Sequence, residues 1–179
     1  KELKDKIHNY FFAKGLDKIK EGGLLAYVTT DAFLNSPSNK PAREYLFHNS
    51  NFISLAVLPD NLMKDTGNTE APSHLLVVQK QTGKKDITTH EQNLIETTEQ
   101  HNEFGEYHVN QYIVQHPEII VANEVKPGRN QYGRATETIW QKGDINGIQA
   151  KLSATIEDGL RKRYKQKSFE QEIKVKAKP

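Results

Sequence analysis

The N-terminal part of the chain combines a segment of helical periodicity with a continuous apolar run. From Leu3 to Lys20, apolar residues recur every three or four positions, which predicts a helix with one buried face. Gly22 and Gly23 end this helix, and the apolar run from Leu24 to Thr29 follows. Such a run, bounded by turn residues, is typical of a strand buried on both faces of a sheet. Helix, glycine pair and buried strand together predict an α/β fold.

Two further apolar runs predict two more strands. A loop rich in helix breakers leads to a short helix from Pro41 to Phe47, and the run from Phe52 to Leu58 follows it. A polar loop then leads to the third run, His74 to Lys80. Because no crossover helix separates these two strands, we expect them to be antiparallel neighbours that form a hairpin at the edge of the sheet.

The second half of the chain has fewer apolar residues and predicts a different region. The polar stretch from Thr88 to Glu103 predicts a surface helix, and Val109 to Gln115 a short helix that ends before a proline. Ile145 to Tyr164 carries an apolar stripe at helical spacing. The chain therefore divides into a sheet-forming region, residues 1–82, and a mainly helical extension or linker region, residues 83–179.

Composition narrows the classes of protein and site. The 179 residues carry a net charge of +2 and include no cysteine, which excludes disulfides, thiolate zinc sites and cysteine nucleophiles. The seven histidines are scattered without a paired spacing, so no metal site is predicted. No charged-then-apolar leader opens the chain and no run approaches the roughly 20 apolar residues of a membrane span. A cytoplasmic protein without membrane contact is expected.

An ordered set of motifs resembles the latter part of the catalytic domain in gamma-type adenine-N6 DNA methyltransferases. The string from Leu16 to Leu34 resembles the family's helix ending in Leu-x-x-Gly-Gly, its strand like Ala-Phe-Ile-Thr-Pro and the Phe-Leu that follows. Ala42–Leu46 resembles the family's Arg-x-x-Leu helix, and Leu58–Leu62 its Leu-Pro-x-Asn-Leu-Phe turn. Thr66-Gly67 and Leu75–Lys80 resemble its Thr-Gly loop and last edge strand.

The resemblance implies a piece of a longer enzyme. In the family, the glycine-rich turn that holds S-adenosylmethionine and the Asn-Pro-Pro-Phe or Asp-Pro-Pro-Tyr loop both lie N-terminal to the matched region, and neither occurs here. It therefore implies the C-terminal half of a Rossmann-like methyltransferase sheet, without catalytic residues and inactive alone. S-adenosylmethionine would bind the parent protein only. Because the front strands are missing, we expect an exposed apolar sheet edge, leading to self-association or covered by the C-terminal region.

The implied partners are DNA and the missing N-terminal half of the domain. Val109 to Glu118 also resembles a segment that follows the methylase domain in methylase-helicase proteins of bacterial mobile elements, which adds a C-terminal helicase region to the candidate partners. Two other hypotheses stay open: a non-enzymatic DNA-binding or assembly module, and an unrelated Rossmann-like α/β enzyme. The sequence that precedes Lys1 would separate all three.

The candidate substrate-binding residues follow the predicted strands. Ligands of open α/β sheets meet the carboxyl ends of the strands, so Thr30 and Asp31 are candidates to line the target-base pocket, with Phe33 packing behind them. The alternative is that Thr30 or Asp31 caps the next helix and Phe33 belongs to the core. The resemblance places Met63 where the family offers an aromatic ring to the flipped base. Its alternative role is to fill a gap in the packing.

The candidate DNA-binding residues are basic. Lys40 and Arg43 begin a helix after a flexible loop, and the run that includes Arg161, Lys162 and Arg163 is suited to follow a phosphate backbone. Lys40 and Arg43 are alternatively a solvated surface pair. The late basic run is alternatively a solvated helix end or a linker to a following domain.

Overall fold

The computed structural model describes residues 2–62 and 71–165, with side chains from Tyr10 onward. Six α-helices occur in this part of the chain: α1 (Glu2–Lys18), α2 (Ala32–Asn35), α3 (Lys40–His48), α4 (Thr89–Ile95), α5 (Gln111–Gln115) and α6 (Asn146–Arg163). Seven strands accompany them: β1 (Leu24–Thr30), β2 (Ser50–Leu58), β3 (Ser73–Lys80), β4 (Thr97–Asn102), β5 (Gly105–Asn110), β6 (Glu124–Arg129) and β7 (Ala135–Trp140). Short 3₁₀ helices lie at Pro37–Asn39 and Pro117–Ile119.

The first three strands form one sheet in the order β1-β3-β2. Strand β3 runs antiparallel to both neighbours, and Leu76 lies opposite Tyr27 on one side and Leu55 on the other. Strands β1 and β2 are therefore parallel to each other, with α2 and α3 in the connection between them. The predicted antiparallel pairing of the second and third strands is confirmed. The expectation that Leu75–Lys80 is an edge strand is wrong for the described sheet, because β3 lies between β1 and β2.

One face of this sheet carries the main hydrophobic core. Helix α1 contributes Phe12, which stacks on Phe33 with ring centroids 4.1 Å apart and meets Tyr27 edge-on. The Tyr27 hydroxyl donates a hydrogen bond of 3.1 Å to the carbonyl oxygen of Phe12. Leu46 and Phe47 of α3 pack into the same cluster. The predicted amphipathic helix and the first strand thus meet through their apolar faces. The prediction that this strand is buried on both faces is wrong, because only its face toward α1 is covered in the described residues.

The opposite face is covered by α6, which lies over β2. Ile148 near the start of α6 packs against Ala56 and Leu58. Near its end, Gly159 sits so close to the sheet that an added Cβ would lie 2.3 Å from the carbonyl oxygen of Ile53. Only glycine allows this approach of helix to strand.

Strand β1 is left open on this face and at its outer edge. Val28 is 73% exposed and Leu24 is 41% exposed. Among the described residues, β1 pairs only with β3, so its outer edge has no neighbouring strand. An exposed apolar edge was expected, either self-associating or covered by the C-terminal region. In the described part of that region, α6 lies over β2 and leaves this edge uncovered.

The predicted mainly helical character of the second region is wrong. The expected helix from Thr88 to Glu103 ends at Ile95, and β4 and β5 follow as an antiparallel hairpin. A second antiparallel hairpin, β6 and β7, forms around a turn that contains Gly133 at φ +74°. The predicted C-terminal helix is confirmed as α6, and no helix among the described residues is long and apolar enough to cross a membrane.

The described part of the second region packs on the sheet. Leu94, Tyr112 and Ile119 belong to the same core cluster as Leu76. The segment that resembles methylase-helicase proteins makes structural contacts: Asn110 accepts a hydrogen bond from the amide of Tyr112 and donates to the carbonyl oxygens of Leu34 and Leu94. The whole described chain is therefore a mixed α/β structure that shares one main core.

Candidate functional site

The candidate site lies where the two parallel strands end. Asp31 follows β1 and Asp60 follows β2, so both carboxylates stand at the same edge of the sheet. Strand β3 begins at this edge with Ser73 and His74, and the amide of Asp31 donates a hydrogen bond of 3.2 Å to the carbonyl oxygen of Pro72. Carboxyl ends of parallel strands are the usual ligand-binding edge of an open α/β sheet.

Two adjoining spaces open here. An inner cavity of about 70 Å³ includes Asn35, His74 and His108 in its lining. An outer cleft of about 290 Å³ reaches Arg129 and Tyr132 at the tip of the hairpin formed by β6 and β7. Both spaces share the lining residues Asp31, Asp60, Pro72 and Thr136.

The turn after β2 holds this hairpin over the sheet edge. A carboxylate oxygen of Asp60 accepts a hydrogen bond of 3.0 Å from the amide of Ile139. The amide of Asp60 in turn donates one of 2.7 Å to the carbonyl oxygen of Ile139. Asn61 makes an equivalent reciprocal pair with the backbone of Gln141. The turn that resembles the methyltransferase motif thus fixes β7 and the cleft wall.

Asp31 carries a perturbed carboxyl group. Burial raises its pKa, although the nearby backbone amides of Ala32 and of Asp31 itself act in the opposite direction. Asp31 occupies the N-cap position of α2 but makes no capping hydrogen bond through its side chain. A half-buried carboxylate with a raised pKa at the rim of a cleft is a candidate hydrogen-bond acceptor for a ligand.

His74 is the most buried titratable group of the inner cavity. The residue is 2% exposed, and its Nδ1 atom is buried without a hydrogen-bond partner among the described residues. Burial lowers the pKa of His74 to about 4, so the ring is neutral near pH 7. A neutral imidazole in a cavity offers a ligand or a water molecule one donor or acceptor at this atom.

The predicted substrate-binding residues occupy different surroundings. Thr30 is exposed at the end of β1, next to Asp31. Phe33 is fully buried in the core and supports the site from behind. Met63 lies outside the described residues.

The structure corrects the expected surface role of Arg43. This residue is fully buried, and its guanidinium donates hydrogen bonds to the carbonyl oxygens of Phe33, Ser36 and Ile95 at 3.0, 2.6 and 2.9 Å. It is therefore neither a phosphate contact nor half of a solvated pair. Lys40 stays at the surface, where its ammonium lies 2.7 Å from the carboxylate of Glu96.

The basic run of α6 divides between surface and interior. Arg161 and Lys162 are exposed and both pair with Asp158, at 2.7 and 2.9 Å. Arg163 turns inward, donates a hydrogen bond of 2.9 Å to the carbonyl oxygen of Ile53 and lies over the ring of Phe52. These residues lie along β2, away from the outer cleft.

Sequence reasoning missed Arg129, Tyr132 and His74 as site residues. Tyr132 is 72% exposed at the hairpin tip, and Arg129 lies over the ring of Phe104 at 5.2 Å from its centroid. The turn residues Asn130 and Gly133 were an available signal for a hairpin, and a hairpin exposes the residues at its tip. No comparable signal places His74 in a cavity, because its position depends on packing.

No group of His, Cys, Asp or Glu side chains among the described residues is arranged to hold a metal ion. Comparison of the chain with protein-family models, curated proteins and solved structures found no match.

Proposed function

We propose that the chain is the C-terminal part of the catalytic domain of an S-adenosylmethionine-dependent DNA adenine-N6 methyltransferase, and that it is inactive alone. The ordered motifs of the sequence and the sheet that they form support this assignment. Its parent protein would be a restriction-modification-like or mobile-element enzyme. This chain would supply one side of the DNA-binding cleft.

The open side of β1 is the observation that carries the proposal. An edge strand with an apolar, uncovered face is costly to leave in water, and proteins normally cover, pair or charge such an edge. Val28 and Leu24 are uncharged and exposed, so β1 is not protected in any of these ways by the described residues. A preceding half-domain that adds strands beside β1 and a helix over its bare face would satisfy both needs.

The two spaces at the candidate site do not suit the cofactor. The inner cavity of about 70 Å³ is far smaller than the roughly 300–1,000 Å³ of ordinary ligand pockets. The outer cleft is lined by Asp31 and Asp60 and lacks a glycine-rich turn. We therefore assign cofactor binding to the upstream half and only DNA contacts to this chain.

Within the outer cleft, three side chains have suitable chemistry for DNA. Tyr132 offers an exposed ring for stacking on an unpaired base, and Arg129 offers guanidinium donors for phosphate. The Asp31 carboxylate is an acceptor for an amino group such as the exocyclic amine of a base. A base outside the duplex stack is the substrate that such a cleft would meet.

The first experiment compares this chain with the longest natural protein that contains it. Calorimetric titration with S-adenosylmethionine is expected to give no measurable binding for the chain and clear binding for the longer protein. Methyl transfer to unmethylated plasmid DNA should follow the same division. Micromolar affinity of the isolated chain for the cofactor would contradict the proposal.

The second experiment tests the cleft within the longer protein. Tyr132→Ala is expected to weaken DNA binding and methyl transfer, because stacking on one base contributes about 1–3 kcal/mol. The matched control is Tyr45→Ala, which removes another exposed tyrosine, on α3 and away from the cleft. Equal activity of the two variants would remove Tyr132 from the site. Tight DNA binding without methyl transfer would favour the non-enzymatic DNA-binding module instead.

A further inference from the structure

A second cleft lies on the far side of β2, between that strand and the helices α4, α5 and α6. Its volume is about 450 Å³, larger than either space at the candidate site. Aromatic and basic side chains converge there: His90, Tyr112, His116, Lys151, Lys162 and Arg163. None of them contributes to the DNA-facing cleft proposed above.

One wall of the cleft is a stacked pair of rings. The ring of His116 lies 4.1 Å from that of Tyr112, at an interplanar angle of 19°. Tyr112 is 3% exposed and backs His116, which is only half-buried. The Nδ1 atom of His116 is 2.9 Å from the carbonyl oxygen of Tyr112, and because a carbonyl only accepts, we assign the ring proton to Nδ1. The pair holds the His116 ring at a fixed angle.

His90 adds a second imidazole with unused hydrogen-bonding capacity. Its ring meets Tyr112 and His116 edge-on, with centroids 5.6 and 5.7 Å away. Its Nδ1 atom is buried and has no hydrogen-bond partner among the described residues. Burial lowers the pKa of His90, the charges of Arg163 and His116 lower it further, and Glu91 opposes them. An anion in the cleft would add to the effect of Glu91.

Cationic side chains line the cleft beside these rings. Arg163 donates to the carbonyl oxygen of Ile53 and interacts with the hydroxyl of Tyr112, and with five N–H groups its guanidinium retains further donors. Lys162 and Lys151 lie along the same helix, paired with Asp158 and with the carbonyl oxygen of Ile120.

The carboxylates in the lining do not cancel these cations. The two are Glu118 and Asp158, and Asp158 is shared with Arg161, which is not part of the lining. Three cations in the lining, Lys151, Lys162 and Arg163, outnumber these two carboxylates, so the cleft retains a positive excess.

We propose that this cleft binds one nucleotide unit, with its phosphate against the adjacent residues Lys162 and Arg163 and its base against the ring of His116. A fixed aromatic face beside a row of cations is the combination that recognises nucleotides without regard to sequence. The volume lies in the ordinary range of small-ligand pockets. A single-stranded nucleic acid and a free nucleotide share this chemistry. The site is separate from the cleft at the carboxyl ends, and its test does not depend on methyl transfer.

Adjacent residues on α6 allow a matched test. The probe is a fluorescent single-stranded oligonucleotide of about ten nucleotides, followed by anisotropy with the full chain. Lys162→Ala is expected to weaken binding by about threefold or more, because one phosphate contact is lost. Arg161→Ala removes the same charge one position earlier, from the same ion-pair partner, but outside the cleft lining. It should leave affinity nearly unchanged, and equal losses in the two variants would overturn the proposal.

A variant that binds more tightly also tests the site, because unfolding cannot explain a gain of affinity. Asp158→Asn removes a carboxylate from the cleft and releases Lys162, so affinity should rise. In the unmodified chain, the ring proton resonances of His90 and His116 should shift when the oligonucleotide binds, and His90 should titrate at a higher pH. Unchanged affinity in Asp158→Asn together with unshifted histidine resonances would exclude the site.

Competition distinguishes the two sources of the nucleotide. Adenosine monophosphate should displace the oligonucleotide, whereas inorganic phosphate should do so only at much higher concentration, because it lacks the base. If the oligonucleotide binds much more tightly than adenosine monophosphate and its affinity falls steeply with salt, the ligand is a nucleic-acid strand. If the two bind with equal affinity, the ligand is a free nucleotide. Displacement by phosphate as effective as that by the mononucleotide would contradict the ring contact.

Discussion

The buried guanidinium of Arg43 donates a hydrogen bond of 2.9 Å to the carbonyl oxygen of Ile95, 52 positions later in the chain. It also bonds the carbonyl oxygens of Phe33 and Ser36. One side chain thus joins α3 to the segment after β1 and to the end of α4. Burial lowers the pKa of Arg43 to about 10, which leaves it charged at neutral pH. The cation belongs to the core rather than to a DNA-binding surface.

Arg43→Met is expected to destabilise the fold by about 3 kcal/mol, because several buried carbonyl oxygens lose their donor. Urea denaturation of the chain measures this loss. Lys40→Met is the control, since Lys40 is half exposed and its pair with Glu96 contributes about 1 kcal/mol or less. Similar denaturation midpoints for both variants would show that the Arg43 network does not stabilise the structure.

A second buried charge links the sheet to α4. Glu91 pairs with Lys84 at 2.6 Å, accepts the amide of Phe52 at 2.9 Å and completes a capping box with Thr88. Both side chains of the pair are at least nine-tenths buried. Burial lowers the pKa of Lys84, and the hydrogen bond and charge of Glu91 oppose that shift.

Glu91→Gln is expected to cost about 3 kcal/mol, because it leaves the ammonium of Lys84 buried without its counter-ion. The matched control is Glu124→Gln, whose carboxylate pairs with two exposed lysines, Lys126 and Lys142, and which should change stability little. Thermal unfolding followed by circular dichroism separates the two. A stability loss in Glu124→Gln as large as that in Glu91→Gln would contradict the assignment.

The sequence predicted the elements whose periodicity is strong. Strands β1, β2 and β3 and helix α6 begin and end within two residues of the bounds predicted from the sequence. Their apolar residues repeat at the spacing of a single buried face or form continuous runs, and tertiary contacts reinforce that choice.

Short polar strands were missed because their stability comes from neighbours. Strands β4 and β5 contain few apolar residues, and Thr97 and Thr98 were assigned to a helix that ends at Ile95. Cross-strand pairing and the turn at Gly105, with φ +133°, decide the structure there. The burial of Arg43 could not be predicted either, because a helix start after a loop is usually solvated and this side chain is enclosed by residues distant in sequence, such as Ile95 at the end of α4.

His74 predicts an acid-sensitive fold. The pKa of His74 is about 4 in the folded chain, against 6.5 for an unperturbed histidine, so the unfolded chain binds the proton first as the pH falls. The stability present above about 6.5 is lost progressively toward pH 4, by about 3 kcal/mol in total. The raised pKa of Asp31 acts with the opposite sign, since its protonation favours the folded state. Urea denaturation at several pH values measures the net slope.

His74→Leu should flatten this dependence between pH 7 and pH 4, since the buried titrating group is gone. His101→Leu is the control, because His101 is exposed on β4. If His74→Leu keeps the slope of the parent chain, protonation of His74 does not limit its acid stability.

The open side of β1 should behave differently in the isolated chain and in the proposed parent protein. Val28 is the most exposed apolar side chain of the strand, on the face that α6 leaves bare. Such an edge and face favour association of two copies through β1 when nothing else covers them. In the parent protein, the upstream half would cover the same surface.

Val28→Lys is therefore expected to shift the isolated chain toward monomer without loss of stability, because the valine is 73% exposed and the new charge opposes pairing. In the parent protein, the same change should destabilise the domain, since it would bury an unpaired ammonium where the upstream half packs. Sedimentation velocity measures the first effect and thermal unfolding the second. Val125→Lys, at an exposed position of β6, is the control and should change neither. If Val28→Lys leaves the longer protein as stable as Val125→Lys does, β1 is a free surface in both proteins, and the proposal that the sheet continues beyond it fails.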